Sequence, residues 1–387
     1  MNFRDLDEKY IAKTYARFPI NLVSGKGAIL TDDEGKQYID LGSGIAVNTF
    51  GASDQVWIDA VTAQLNRLQH TSNLYYTLPD VQLAQMLCER TGMKKVFFSN
   101  SGAEANECAI KAARQWSDNT KGPDHSTIVT LTDSFHGRTI TTLAATGQDH
   151  YHHHFLPLTP GFVYAETGNI RDLEEIVAKN QCCAIMIEII QGEGGVIPLS
   201  VEFIAAVQRI ARENELLVIV DEIQTGNGRT GQLYAYMNFD LQPDIVTTAK
   251  GLAGGLPLGA TLLGERVQDV FTPGSHGSTF GGNPVCCAGA VSVLSRIDDG
   301  LLKDVRDKSA WIQENLRNAA GVNTLTGMGF MLGIDPVKPV AEVLKGCREK
   351  GVLVLSAKQR VRLLPPLSIP WDQLEKAINI LKEVLAV

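Results

Sequence analysis

The sequence predicts an α/β protein, with a large domain on a mainly parallel sheet and a smaller α+β domain after it. Three observations point there. From about residue 80 the chain repeats helix, short apolar strand and loop. The strand candidates are apolar throughout rather than alternating, which marks strands covered on both faces. After about residue 283 the rhythm changes and helices dominate. A length of 387 residues exceeds one ordinary core, so two domains are expected, one of them assembled from two chain segments. The expected division is an N-terminal segment, 1–50, joining the small domain, a large domain over 51–283, and a C-terminal small domain over 284–387.

In chain order, GKGAILTDDEGKQYIDL alternates around the turn DDEGK and reads as a hairpin. QVWIDAVTAQLNRL carries apolar residues at helical spacing. VQLAQMLCERTG is a helix closed by a glycine. KVFFSNSG is a strand and turn, and AEANECAIKAARQW a helix. STIVTLTD, GFVYAE, CAIMIEII, LLVIVDE and DIVTTA are further strands, with LEEIVAKN and VEFIAAVQRIARENE as helices between some of them. In the last third, CCAGAVSVLSRI, LLKDVRDKSAWIQENLRNAA, VAEVLKGCREKG and DQLEKAINILKEVLAV are helices, and GMGFMLGID and VRLLPPL are strands.

Composition narrows the function. Apolar residues make up 44% and charged residues 20%, as in an ordinary soluble domain. The net charge of −8 argues against a nucleic-acid partner, which needs a clustered basic face. The apolar runs stop after a few residues, far short of the roughly 20 that a membrane span requires. The start, MNFRDLDEKY, is charged and has no apolar core of a signal peptide. Seven cysteines without a C-x-x-C pair read as buried free thiols of a reducing cytoplasm.

In parallel sheets, ligands gather beyond the carboxyl ends of strands. Three features stand there. SNSGAEAN (99–106) joins a strand to a helix start through a Ser-Gly turn, where free N–H groups and the helix dipole favour an anion. Ser101 and Glu104 also fit a capping box, so a well-capped helix explains the stretch equally. Asp221 ends LLVIV, and an acid there serves as helix cap, metal ligand or counter-ion. Lys250 ends DIVTTA among apolar and glycine residues. Desolvation there lowers a lysine's pKa and frees its amine for Schiff-base chemistry, although a snorkelling surface lysine fits it taken alone. Together the three are the protein's share of a pyridoxal phosphate site. Two decoys are set aside. GNGRTG (226–231) lies five residues, DEIQT, beyond its strand, whereas a dinucleotide fingerprint follows directly. HYHHHF (150–155) lacks the spacing of a helical zinc pair and reads as a solvated loop, so no metal is expected.

In this order, SNSGAEANE, FHGRT (135–139), IEIIQGEGGV (187–196), VDEIQTGNGRTG (220–231), TTAKGLAGGLPLGA and GSHGSTFGGNP (274–284) resemble the class-III pyridoxal phosphate aminotransferases of fold type I, nearly end to end. TYARFP, HTSNLYYT (70–77) and HGSTFGGNP are most similar to the members of that class that use N2-acetyl-L-ornithine. The resemblance implies pyridoxal 5′-phosphate as cofactor, bound covalently by Lys250. It implies that Asp221 pairs with the pyridine nitrogen, Gln224 contacts the ring hydroxyl and Phe135 stacks on the ring. Ser101, Gly102 and Ala103 would hold the phosphate. Ser278 and Thr279 would reach the neighbouring subunit's site, Thr279 onto its phosphate, in a cytoplasmic homodimer with shared active sites. Arg138 would clasp the donor's carboxylate. Arg362 would bind the α-carboxylate of 2-oxoglutarate, with Glu193 neutralising it when the donor is bound. A planar guanidinium fork suits those carboxylates.

Two departures stand out. The family's G-H-x-H-P slot reads GASDQ (51–55), and its Glu-Pro reads Glu188-Ile189. The implied reaction passes the terminal amine of N2-acetyl-L-ornithine to 2-oxoglutarate. Ornithine, succinyl-diaminopimelate and 4-aminobutyrate are alternative donors on the same scaffold, and a non-catalytic binder is the alternative of another class.

Overall fold

The computed structural model describes residues 3–386. Met1 and Asn2, in the expected charged start, and Val387, at the end of the last expected helix, lie outside the described residues. The apolar runs assemble into a seven-stranded sheet: β1 (Lys95–Ser99), β2 (Thr127–Leu131), β3 (Phe162–Ala165), β4 (Cys182–Ile187), β5 (Leu217–Asp221), β6 (Ile245–Thr248) and β7 (Gly259–Leu263). Their order is β1-β7-β6-β5-β4-β2-β3. Pairings among β2 to β6 are parallel, while β7 runs antiparallel to both β6 and β1. Six of these strands coincide with apolar runs read from the sequence. β7 was not among them, because its buried GATLL follows directly on the glycine-rich GLAGGLPL.

Every residue of β4 and β5 is buried. Successive side chains point to opposite faces. Ile185, Ile187, Val218 and Val220 therefore join one core, while Ala184, Met186, Leu217 and Ile219 join another across the sheet. The helix Gly102–Lys121 covers the second face with Ala109, Ala112 and Ala113, whose small side chains allow close approach. On the first face, Val201–Glu213 buries Phe203, Ile204, Val207, Ile210 and Ala211, one stripe at helical spacing.

A third core joins the chain ends. Ala28, Ile39 and Leu41 pack with Phe330, Ile334, Val352, Val361, Leu363 and Leu374. The expected hairpin is present, Ile29–Asp32 antiparallel to Gln37–Asp40, and the second strand pairs in parallel with Val352–Leu353. GMGFMLGID, expected as one strand, is the end of Val322–Met328 turning into Met331–Pro336, an antiparallel pair. The helix Pro284–Leu294 packs against Gln55–Leu65 and Leu78–Thr91, and its Cys287, Ala290 and Val293 belong to the first core. All seven cysteines are free thiols, and five are buried. Among the described residues, no helix is long and apolar enough to cross a membrane.

Candidate active site

β5 and β6 are neighbours in register, Asp221 opposite Thr247, so the ends of both strands deliver Asp221 and Lys250 side by side. They open on a cleft of about 440 Å³, which Ser101, Gly102, Ala103, Phe135, Arg138 and Gln224 also line. Eight of the twelve site residues read from the sequence thus meet in one place.

Asp221 is buried at the cleft floor. Its Oδ2 accepts from His136 Nδ1 at 2.8 Å and from Asn106 Nδ2 at 2.8 Å, and its Oδ1 accepts from the Ile223 N–H at 3.0 Å. Thr247 Oγ1 donates to Asn106 Oδ1 at 2.7 Å and so orients that amide. Glu188, in the same floor, accepts from the Phe135 N–H at 2.9 Å, and burial pushes its carboxyl up to about 7, against the pull of His136. Glu222, one residue beyond Asp221, is buried too and raised to about 7 by desolvation. It anchors the following loop by accepting from Thr225 Oγ1 and the Tyr236 N–H.

Lys250 opens a short 3₁₀ turn, Lys250–Ala253, with φ of 39°, a left-handed value that costs a non-glycine residue energy. Strain of this kind persists where the surroundings over-determine it. Here Thr49 Oγ1 bonds the Gly251 carbonyl at 2.7 Å, and Trp57 Nε1 bonds the Ala253 carbonyl at 2.9 Å. The amine is walled in yet reachable from the cleft. Desolvation pulls its pKa below the ordinary value, and Arg362 adds to this. Glu193, Asp221 and Glu188 pull the other way and lose.

The cradle stands at the start of helix Gly102–Lys121. Ser101 Oγ caps it by accepting from the Glu104 N–H at 3.2 Å. Glu104 turns back one residue further than a standard capping box, accepting from the Asn100 N–H at 2.8 Å. Gly102 and Ala103 keep the first-turn N–H groups that no helix carbonyl can reach. A Cβ on Gly102 would stand 2.8 Å from Ile223 side-chain carbons, so only glycine lets the turn sit this close to the cleft wall.

Arg362 and Glu193 meet beside Gln224. Arg362 Nη1 donates to Glu193 Oε1 at 2.6 Å and to Gln224 Oε1 at 3.0 Å, and Gln224 Nε2 donates to Glu193 Oε1 at 3.2 Å. Burial would raise Glu193, but the charge and hydrogen bond of Arg362 outweigh it and hold the carboxyl below its ordinary value. Arg138 lines the cleft and is exposed, its guanidinium 4.3 Å from the Tyr151 ring centroid and 5.6 Å from that of Phe135.

Ser278 and Thr279 do not line the cleft of their own chain. Ser278 Oγ accepts from Asn100 Nδ2 at 3.1 Å, and Thr279 is exposed. Phe280, next in the chain, is exposed, and so are Leu74, Tyr75, Tyr76 and Leu78, Tyr76 fully. Asn73 Nδ2 ties the two segments together by donating to the carbonyls of Ser278 and Gly281.

His136 and Glu188 line the cleft floor and Asn106 stands buried behind Asp221, and none of the three was among the site residues expected from the sequence. All lie inside the quoted motifs, but nothing in their spacing signals proximity to Asp221. HYHHHF is not a solvated loop throughout. Asp149–His152 is a helical turn, and His152 is buried against the carbonyls of Leu143 and Thr146. Its neighbour Tyr151 packs edge-on to Phe135 at 5.5 Å. In the GASDQ slot, Asp54 caps the helix Gln55–Leu65 through the Trp57 N–H and pairs with Arg296 at 2.9 Å. GNGRTG forms turns, with Arg229 buried.

The class-III aminotransferase family model matches residues 10–385. The chain is 48% identical over 385 residues to the acetylornithine aminotransferase of Haemophilus ducreyi, covering 99% of this chain and 98% of that protein. It is 42% identical to the acetylornithine aminotransferase of Aquifex aeolicus, covering 97% and 100%. Among solved structures, the ornithine aminotransferase of Toxoplasma gondii matches with a TM-score of 0.95 at 31% identity, over 99% of this chain and 94% of that one. The N-acetylornithine aminotransferase of Stenotrophomonas maltophilia matches at 0.83 and 33%, over 99% and 98%. With a cleft that sets a desolvated lysine beside a hydrogen-bonded aspartate and a helix N-terminus, and with likeness running from end to end, the chain belongs to the class-III aminotransferase family, pyridoxal phosphate-dependent transaminases.

Proposed function

We propose that this aminotransferase moves the terminal amino group of N2-acetyl-L-ornithine to 2-oxoglutarate, giving N-acetyl-L-glutamate 5-semialdehyde and L-glutamate in arginine synthesis. The observation that carries the donor is full-length identity of 40–48% to enzymes named for acetylornithine. Ornithine is the second reading, since solved ornithine aminotransferases share the fold closely, though at 31% identity or less.

The residues present fit pyridoxal 5′-phosphate. The N–H groups of Gly102 and Ala103, with Ser101, offer donors and a helix dipole to a phosphate. Asp221 offers an acceptor to a protonated ring nitrogen, and Phe135 a flat apolar face. When bound, the cofactor supplies an aldehyde that exchanges amines and a ring that takes up carbanion charge. Lys250 would hold that aldehyde, and its freed amine would carry the proton at the substrate carbon. Desolvation lowers its pKa, which favours the neutral amine that both tasks need. Gln224, which lines the cleft, would contact the ring hydroxyl. Arg138 clasps the donor's carboxylate, and Arg362 binds the α-carboxylate of 2-oxoglutarate once Glu193 has turned away.

The same reading includes a homodimer in which the loop of Ser278 and Thr279 serves the neighbouring site. The exposed apolar run Leu74, Tyr75, Tyr76 and Leu78, on a segment that Asn73 ties to the exposed Phe280 loop, supports it, because monomers rarely leave large apolar side chains grouped in water. A cytoplasmic setting suits the free cysteines. The division into 1–50 with 284–387, and 51–283, is supported by the core that unites the two chain ends, while the helix Pro284–Leu294 packs on the large-domain core and argues for a boundary after it.

The test is a panel of donors at fixed 2-oxoglutarate, with products identified. N2-acetyl-L-ornithine should show the highest kcat/KM. A higher value for ornithine, succinyl-diaminopimelate or 4-aminobutyrate would replace the donor. A purified protein that gains no visible absorbance with pyridoxal phosphate would point to a non-catalytic binder.

A further inference from the structure

Asp221 is held by more groups than a counter-ion alone needs. An ionised carboxylate has about four acceptor positions. Three are filled from within the protein: His136 and Asn106 on Oδ2, and the Ile223 N–H on Oδ1. That leaves one position, on Oδ1, for a group in the cleft. His136 is buried, and its backbone is fixed from both sides. Its N–H donates to Thr146 Oγ1 at 3.0 Å, and its carbonyl accepts from the same Asn106 amide at 2.8 Å. Nε2 is buried with no hydrogen-bond partner among the described residues. The imidazole therefore makes its one polar contact through Nδ1, and the partner Asp221 can only accept.

From this geometry we infer that His136 is a positioning residue for the transamination: its Nδ1–H locks Asp221 so that a single carboxylate lone pair faces the ring nitrogen of the cofactor. The inference rests on the reading that Asp221 pairs with that nitrogen. His136 touches neither substrate nor cofactor and acts through Asp221. The charged groups facing it are Asp221 at the end of β5 and Glu188 beyond β4, while the helix Gly102–Lys121 contributes the neutral Asn106. Burial would favour a neutral ring, but the bond and charge of Asp221, with Glu188 behind it, outweigh this and raise the affinity of His136 for a proton. Asp221 then faces a donor on its inner side whichever charge state the ring takes.

The experiment compares the wild-type holoenzyme with His136→Asn and His136→Leu. Asparagine keeps a donor near the position of Nδ1, and leucine removes it. In His136→Leu, the dissociation constant for pyridoxal phosphate should rise by roughly 10- to 100-fold, as loss of a hydrogen bond to a charged group does. The pH midpoint of the holoenzyme's visible absorbance should move by about one unit, since Asp221 no longer holds its orientation. His136→Asn should restore most of both. A merely structural histidine would change thermal stability and leave the absorbance midpoint alone. Because a substitution at this buried position can unfold the site, ¹⁵N NMR of histidine-labelled wild-type holoenzyme supplies a second measurement, in which Nδ1 should carry a deshielded proton protected from exchange. The inference is overturned if Nδ1 bears no proton, or if folded His136→Leu keeps wild-type cofactor affinity and absorbance midpoint. That failure leaves the aminotransferase reading standing. A wild-type chain that takes up no pyridoxal phosphate would overturn both.

Discussion

Arg362 Nη1 lies 2.6 Å from Glu193 Oε1, a buried cation covered by a carboxylate that is itself partly open to solvent. On the proposed reading, the pair suits a site that takes an acidic acceptor in one half of its cycle and a different donor in the other. With Glu193 in place the cation is neutralised. With Glu193 displaced, the guanidinium would keep only its Gln224 bond and would be open to a carboxylate.

Glu193→Ala leaves that cation exposed at all times. The donor half-reaction should slow by about tenfold, the cost of a lost charge-assisted contact, while the 2-oxoglutarate half-reaction stays within a factor of about three. Single-turnover absorbance changes with each substrate separate the two. The same pair sets an acid limit. Glu193 is held below its unfolded value of about 4.3, so its stabilising contribution is complete above that pH and is lost as pH falls through the folded value. Glu193→Gln should lack this loss in acid unfolding curves.

Lys250 is a stability cost carried for function. Its folded pKa is depressed, so the folded chain binds fewer protons there than the unfolded chain between the two values. Stability of the cofactor-free protein should therefore rise with pH through that window, and below it the buried cation should be a constant penalty. Lys250→Met should remove the penalty, raising the cofactor-free melting temperature by roughly 2–4 °C while abolishing turnover. A melting temperature below that of the wild type would contradict this account.

At Gly102 the prediction is steric. Alanine there would press a methyl group onto Ile223 at 2.8 Å and shift the first turn away from the cleft. Cofactor affinity should fall by about tenfold with little change in the melting of the cofactor-free chain, because the helix keeps its Ser101 cap, a contact of about 1 kcal/mol. Equilibrium dialysis and calorimetry read the two effects apart.

The exposed side chains of Tyr75, Tyr76 and Leu78 give a prediction about assembly. Tyr76→Arg puts a charge at the centre of the proposed subunit contact, where it should weaken association by at least about 2 kcal/mol. Sedimentation at falling protein concentration should show monomer where the wild type remains dimeric. Activity should fall in parallel if Thr279 completes the neighbouring site.

What was legible in the sequence follows from how each feature is encoded. β4 and β5 could be read because burial on both faces leaves a continuous apolar run. Lys250 and Asp221 could be read because each directly ends or follows such a run. The strand β7 could not, since glycines before it mimic a loop. The contacts of Asp221 with Asn106 and His136 span 115 and 85 residues and exist because the fold lays the end of β5 against the helix after β1 and the segment after β2. No local pattern carries that order. The left-handed φ of Lys250 is likewise imposed from outside its own segment, by Thr49 and Trp57.

Arg229, in the glycine-rich stretch that imitates a nucleotide-binding turn, yields the last prediction. It is buried, and desolvation works against its charge, partly offset by Asp40. Its Nη1 donates to the carbonyl of Pro365 and, at 3.4 Å, to that of Phe330, while its own carbonyl accepts from the Phe330 N–H at 2.8 Å. One side chain thus fastens the loop after β5 to two segments of the smaller core. Arg229→Ala would leave a buried carbonyl without its donor, a cavity, and Asp40 without a compensating charge, and should cost about 3–5 kcal/mol in denaturant unfolding. Arg229→Met keeps the volume and removes the buried cation, so the loss should be smaller, about 1–2 kcal/mol. The strand Arg360–Leu363 carries Arg362 and leads straight into Pro365. Loosening that anchor should let Arg362 drift from Glu193 and raise KM for 2-oxoglutarate more than KM for the donor. Equal rises for both substrates would mean that Arg229 supports the fold as a whole and not the acceptor's carboxylate site.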